Sequence, residues 1–177
     1  MKLLRFGPKG HEKPGLLDAQ GVIRDLSGVL PDLTSGQLAK GALARLAELD
    51  PATLPAVEQP VRYAPILADI GKFICVGLNY SDHAAESGMA VPSEPVVFTK
   101  ATSAIIGCND AVVLPKNSVK SDWEVELGVV IGKRARYVEE GEALDYVAGY
   151  CVVNDLSERE YQLERGSQWD KGKGCDT

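Results

Sequence analysis

The chain has 177 residues, 45% of them hydrophobic, which allows a real core and falls between one domain and two. Its 25 acidic residues outnumber 19 basic ones, for a net charge of −6. With no basic run interleaved with aromatics, that field excludes nucleic acid and anionic membrane as expected partners. No apolar stretch approaches the roughly 18 residues that span a bilayer, and Met1 to Gly7 lacks an apolar signal core, so the expected compartment is the cytoplasm. Cys75, Cys108, Cys151 and Cys175 are far apart and form no Cys-x-x-Cys pair, which favours reduced thiols over disulfides or structural zinc.

In chain order, Leu3 to Phe6 and Gly15 to Asp18 read as strands, and Asp18-Ala19-Gln20-Gly21 as a turn into Val22-Ile23-Arg24. Thr34-Ser35 offers helix N-caps before Leu38, Ala42, Leu46 and Leu49, whose spacing draws one apolar stripe along an Ala-rich helix ending at Asp50-Pro51. Pro51, Pro55, Pro60 and Pro65 then remove backbone donors and block regular helix, marking a linker. Beyond it lie β-type runs at Phe73 to Val76, Pro95 to Thr99, Ala111 to Leu114, Val125 to Ile131 and Tyr150 to Val153. The expected organisation is a small N-terminal α+β domain with its Pro-rich linker over residues 1–65, followed by a strand-rich domain over 66–177.

Three groups of residues carry chemical possibilities. In Asp122-Trp123-Glu124-Val125-Glu126-Leu127, residues two apart share a strand face, so Glu124 and Glu126 stand side by side opposite Val125 and Leu127. Adjacent carboxylates repel unless a cation neutralises them, and oxygen donors suit hard ions such as Mg²⁺, Mn²⁺ or Ca²⁺ rather than zinc. The same alternation also describes a solvated strand face. Asp155, where the run Tyr150 to Asn154 ends, offers a third carboxylate or, equally, a helix N-cap. In Ser81-Asp82-His83-Ala84-Ala85-Glu86, His83 and Glu86 lie three apart on a helix face, which suits a water-activating dyad or a surface pair. Near the end, Gly172-Lys173-Gly174 could bring an ammonium close to an anion or form a polar loop; it is not a phosphate-binding loop.

Taken together from about Lys72 onward, these segments resemble the fumarylacetoacetate hydrolase family. The pieces that carry the likeness are Val76-Gly77-Leu78-Asn79-Tyr80 with Asp82-His83 and Glu86, Glu94-Pro95 to Lys100, and Glu124-Val125-Glu126-Leu127-Gly128 to Lys133. Asp145 to Tyr150, Asn154-Asp155 and Trp169 to Lys173 complete it. The resemblance implies an α+β, strand-rich fold, a mixed β-roll preceded by a small N-terminal domain, usually in a homodimer. It implies that Glu124, Glu126 and Asp155 ligate Mg²⁺ or Mn²⁺, that His83 with Glu86 activates water on a lid, that Lys173 contacts substrate, and that Arg159 and Gln162 bind it. Leu78 departs from the family pattern, standing where several acylpyruvate-cleaving relatives carry arginine. The chain also stops before the closing Thr-Gly-Thr-Pro segment and strands of the family, which makes the expected catalytic domain incomplete.

The implied reaction is metal-assisted hydrolysis of a C–C bond in a 2,4-dioxo acid, an acylpyruvate or diketo-deoxy sugar acid, giving pyruvate and a carboxylic acid. Fold and family do not choose the reaction. Ureidoglycolate cleavage to urea and glyoxylate stands as the alternative, and a non-catalytic metal- or carboxylate-binding fragment as the rival from another class.

Overall fold

The computed structural model describes residues 1–86, 88, 90–166 and 168–175. By internal contacts the chain forms two units, and each is described by itself. The first comprises Met1–Ile70, Ile106–Ala111 and Glu126–Val153; the second comprises Gly71–Ile105, Val112–Val125 and Asn154–Thr177.

The first unit opens with strands β1 (Lys2–Phe6), β2 (Lys13–Leu17) and β3 (Ile23–Asp25), an antiparallel sheet in the order β1-β2-β3. The expected turn forms because Asp18 Oδ1 accepts from the Gln20 and Val22 N–H groups at 2.9 and 2.8 Å, while Gly21 supplies φ +80°. Leu16, Leu26, Leu30, Leu33 and Leu46 close the core, with Leu3, Leu49, Leu54 and Leu67 packed against it. Thr34 caps α1 (Ser35–Ala39) through the Gln37 N–H, as its position suggests. The single helix expected through Leu49 is instead two, because Gly41 at φ +73° turns the chain before α2 (Ala42–Ala47). The apolar stripe survives the break: Leu38, Ala42 and Leu46 are all buried.

The proline-rich stretch is not a loose tether. Its backbone is hydrogen-bonded to the first sheet and its flanks, with Asp25 N–H to Pro55 O and Val57 N–H to Ile23 O at 2.9 Å each, Gly7 N–H to Arg62 O at 3.0 Å, and Ala64 N–H to Arg5 O at 2.9 Å. Prolines suit that edge because the donors they lack are not required there. Partly buried ion pairs reinforce it: Arg5 grips Asp32 at 2.7 and 2.8 Å, and Arg62 grips Asp110 at 2.7 and 2.6 Å. This unit also holds most of β7 (Val125–Ile131) and its partner β8 (Val147–Asn154), paired in a two-stranded sheet.

In the second unit β4 (Phe73–Gly77) pairs antiparallel with β5 (Val96–Lys100). The short helix α3 (Ser81–Glu86) follows β4, and β6 (Ser121–Asp122) pairs antiparallel with β9 (Ser157–Glu158). A π-turn over Glu160–Glu164 leads to α4 (Asp170–Lys173). Ala111 to Leu114 does not form a strand, and Val112, Val113 and Leu114 are exposed. Its β-branched composition matches that of β5, so what separates the two is a ladder partner.

Burial divides sharply between the units. Among the described residues, every buried hydrophobic side chain except Ala84 belongs to the first unit, whereas Asp155, Ser157, Glu158, Gln162 and Lys173 are buried in the second. Buried charge costs free energy unless it is paired, so the second unit is built around a polar cluster rather than an oily core.

Candidate active site

Local pairing creates the cluster. The β6–β9 ladder sets Asp122 opposite Ser157, and it continues outward as the Asp155 N–H donates to the Glu124 carbonyl at 2.9 Å and the Arg159 N–H to the Lys120 carbonyl at 3.0 Å. Residues far apart in sequence, Glu124 and Asp155, are thereby brought side by side. Opposite them, α4 is tied to β5: Asp170 Oδ1 accepts from the Thr99 N–H at 3.0 Å, and the Trp169 ring meets Phe98 edge-on with centroids 5.7 Å apart. Gly77 on β4 leaves room for that indole, since a Cβ there would lie 2.8 Å from it.

The α4 helix can approach only because residue 172 has no side chain. A Cβ on Gly172 would overlap the Glu158 carbonyl and sit 2.6 Å from the Gln162 nitrogen. Glycine is required here for space rather than for a left-handed backbone. The result is that Lys173, almost fully buried, reaches both carboxylates, with Nζ 2.7 Å from Glu124 Oε2 and 2.8 Å from Asp155 Oδ2. The Phe98 ring lies beside the same ammonium, its centroid 5.2 Å away.

Two further cations complete the network. Lys100 donates to Asp155 Oδ1 at 2.7 Å and to the Leu156 carbonyl at 2.9 Å. Arg159 pairs with Glu124 Oε1 at 2.6 Å and Asp122 Oδ2 at 2.8 Å, and holds the Gln162 side-chain oxygen at 2.9 Å. Burial works to lower the Arg159 pKa, but the hydrogen bond to Asp122 and the charge of Glu124 outweigh it and raise it above the ordinary value. Glu158, also buried, is held by the Ser118 and Ser121 hydroxyls and the Glu160 N–H. No buried side-chain nitrogen or oxygen lacks a partner among the described residues.

Of the residues singled out in the sequence, Glu124, Asp155, Lys173, Arg159 and Gln162 meet in this cluster. Glu126 lies in β7 and is half-buried between exposed Val125 and Leu127; Glu124, also half-buried, lies just before that strand rather than in it, because the chain there pairs through its carbonyl with the Asp155 N–H. Among the described residues no three acidic, histidine or cysteine side chains converge as a ready-made metal cage. His83 and Glu86 lie exposed on α3, with no hydrogen bond or ion pair between their side chains. Lys100 was missed as a site residue. Its signal was legible: it follows Val96 and Phe98 on the half-buried face of β5, where a lysine requires a partner.

A family model described as fumarylacetoacetate (FAA) hydrolase C-terminal matches residues 72–177. The chain belongs to the fumarylacetoacetate hydrolase family. Relatives in Burkholderia ambifaria and Burkholderia multivorans, each 65% identical over all 177 residues, bear names that go no further than hydrolase. The chain spans 63% of the length of these curated relatives. Among solved members of the family, the fumarylacetoacetate hydrolase of Exiguobacterium antarcticum superposes with a TM-score of 0.82 at 30% identity, over 99% of this chain and 62% of that one. A 5-carboxymethyl-2-hydroxymuconate delta-isomerase from Mycobacterium smegmatis gives a TM-score of 0.70 at 28% identity, over 100% of this chain and 62% of that one. The expected α+β, strand-rich fold of the family is thus the fold observed. No described helix is long and apolar enough to cross a membrane.

Proposed function

We propose that this chain carries the carboxylate-and-lysine part of a metal-assisted active site that hydrolyses a C–C bond of a 2,4-dioxo acid, releasing pyruvate and a carboxylic acid. The observation that carries the reading is the convergence of Glu124 Oε2 and Asp155 Oδ2 on one buried cationic point, 2.7 and 2.8 Å from the Lys173 ammonium. The donor set fits a hard divalent ion: two carboxylates brought together beside the β6–β9 ladder, already neutralising positive charge, with Glu126 two residues from Glu124 as the third candidate ligand. Glu124, Asp155 and Glu126 would hold Mg²⁺ or Mn²⁺, which when bound supplies Lewis-acid polarisation of a chelating 2-oxo acid.

The side chains supply the rest. Lys100 and Arg159 fix the outer oxygens of Asp155 and Glu124, at 2.7 and 2.6 Å, so neither carboxylate can rotate away. Lys173 offers an ammonium to the substrate carboxylate or to negative charge developing on the leaving fragment. Arg159 and Gln162, joined at 2.9 Å, present a planar donor pair for a carboxylate or carbonyl. His83, oriented by Glu86 once α3 closes over substrate, would take a proton from the attacking water. The substrate is a small 2-oxo acid, the working compartment the cytoplasm and the assembly a homodimer on this reading.

The isomerase among the structural relatives supports a second reading, proton transfer along a conjugated dioxo acid without C–C cleavage. Incubation with 2,4-dioxo acids and Mg²⁺ separates the two: hydrolysis releases pyruvate, whereas isomerisation changes the substrate's ultraviolet spectrum and releases none. Urea release from ureidoglycolate would identify the lyase instead.

A further inference from the structure

We infer that Lys173 is a tethered stand-in for the divalent cation, holding the Glu124–Asp155 pair together until metal displaces it. The inference rests on the metal reading above and goes beyond it, because it assigns Lys173 an opposing role toward metal as well as a role toward substrate. Its ammonium binds one oxygen of each carboxylate, 2.7 Å from Glu124 Oε2 and 2.8 Å from Asp155 Oδ2. The other two oxygens are already taken by Arg159 and Lys100. A divalent ion that used both acids would therefore compete with Lys173 for the same pair of oxygens, and two cations packed that closely in a buried site repel strongly.

The charge balance points the same way. Lys100, Arg159 and Lys173 match Asp122, Glu124 and Asp155 one for one through the ion pairs of the cluster. With Glu126 as the third candidate ligand, a divalent cation entering this set leaves one positive charge in excess, which an anionic substrate would offset. Displaced Lys173 has a flexible four-carbon stem and the face of Phe98 beside it, 5.2 Å from Nζ to the centroid, so its charge keeps a favourable contact as it moves. Metal and substrate anion then bind cooperatively: metal frees the ammonium, and the anion gives it a new partner.

The test is Mn²⁺ affinity without substrate, by electron paramagnetic resonance or calorimetry, for the wild type, Lys173→Met and a Glu124→Gln, Asp155→Asn control. The expected result is binding at least about tenfold tighter in Lys173→Met, equivalent to ~1.4 kcal/mol, and none in the control. Equal or weaker binding, or a gain short of about tenfold, overturns the stand-in role and leaves the metal reading intact. No Mn²⁺ binding by either the wild type or Lys173→Met overturns both. If Lys173→Met does not fold, amine-reactive labelling of the wild type, read by mass spectrometry, decides the matter. Lys173 labelling that rises with Mn²⁺ while Lys100 labelling stays constant supports displacement; unchanged Lys173 labelling refutes it.

Discussion

Replacing Asp155 with Asn keeps the side chain's shape and removes its charge, which isolates what the buried network contributes to stability. The wild-type carboxylate receives Lys100 at 2.7 Å and Lys173 at 2.8 Å, and the three side chains are between 3% and 9% exposed. Breaking a buried ion pair on one side costs about 3–5 kcal/mol. Lys173 keeps Glu124 and Lys100 keeps the Leu156 carbonyl, which places the expected loss at the lower end, about 3 kcal/mol. With a urea dependence of ~2 kcal/mol per molar, the midpoint should fall by about 1.5 M. Both tryptophans, Trp123 and Trp169, lie in the second unit, so urea titration followed by tryptophan fluorescence reports the right structure. Asp122→Asn is the control: its side chain is 47% exposed, and removing a solvent-screened pair should cost under ~1 kcal/mol. A midpoint shift for Asp155→Asn no larger than that of the control would refute the claim that this network holds the second unit together.

Gly172→Ala should lower stability by about 1–3 kcal/mol through overpacking and reduce metal-dependent turnover, because the added Cβ drives α4 from Gln162 and carries Lys173 off Glu124; thermal unfolding with parallel assays would detect both. Leu78 sits at φ +52°, a left-handed conformation that costs an L side chain roughly 1–2 kcal/mol, so Leu78→Gly should be neutral or stabilising despite its greater unfolded-state entropy, and a fall of ~1 kcal/mol in denaturant titration would contradict that. Acid should weaken the first unit below about pH 4. The Val22 N–H bond, with Arg24 beside it, holds the Asp18 pKa below its ordinary value, and Arg62 and the Gly107 N–H do the same for Asp110. A depressed folded-state pKa means stabilisation that is complete above the unfolded value of ~3.9 and lost as pH falls through the folded value. Urea midpoints between pH 7 and 2 should therefore decline only at the acid end, and less steeply in Asp18→Asn; an identical slope in that variant would reject the assignment.

Much of the fold was legible because β-branched runs and turn residues act locally. Phe73 to Val76 and Val125 to Ile131 became β4 and β7, and the Asp18-to-Gly21 turn formed as read. Ala111 to Leu114 looked the same and is no strand, since composition does not supply a ladder partner. The break at Gly41 was missed because an unbroken apolar stripe suggested an unbroken helix, whereas stripe and helix ends are set by different residues. Period two grouped Glu124 with Glu126 as strand neighbours, but it could not reveal that β7 begins only at Val125, after Glu124. That Lys173 bridges Glu124 and Asp155, across sequence separations of 49 and 18, depends on the β6–β9 ladder and on the space at Gly172, and neither is a periodic signal.

On the proposed reading, Glu124, Glu126 and Asp155 serve metal-assisted chemistry on a 2,4-dioxo acid. The most direct test of that reading is pyruvate release from a panel of such acids, with and without Mg²⁺ or Mn²⁺, by the wild-type chain and a Glu124→Ala, Glu126→Ala variant. Release that requires metal and vanishes in the variant is the predicted result. Metal-independent release, or release that persists in the variant, would contradict the account.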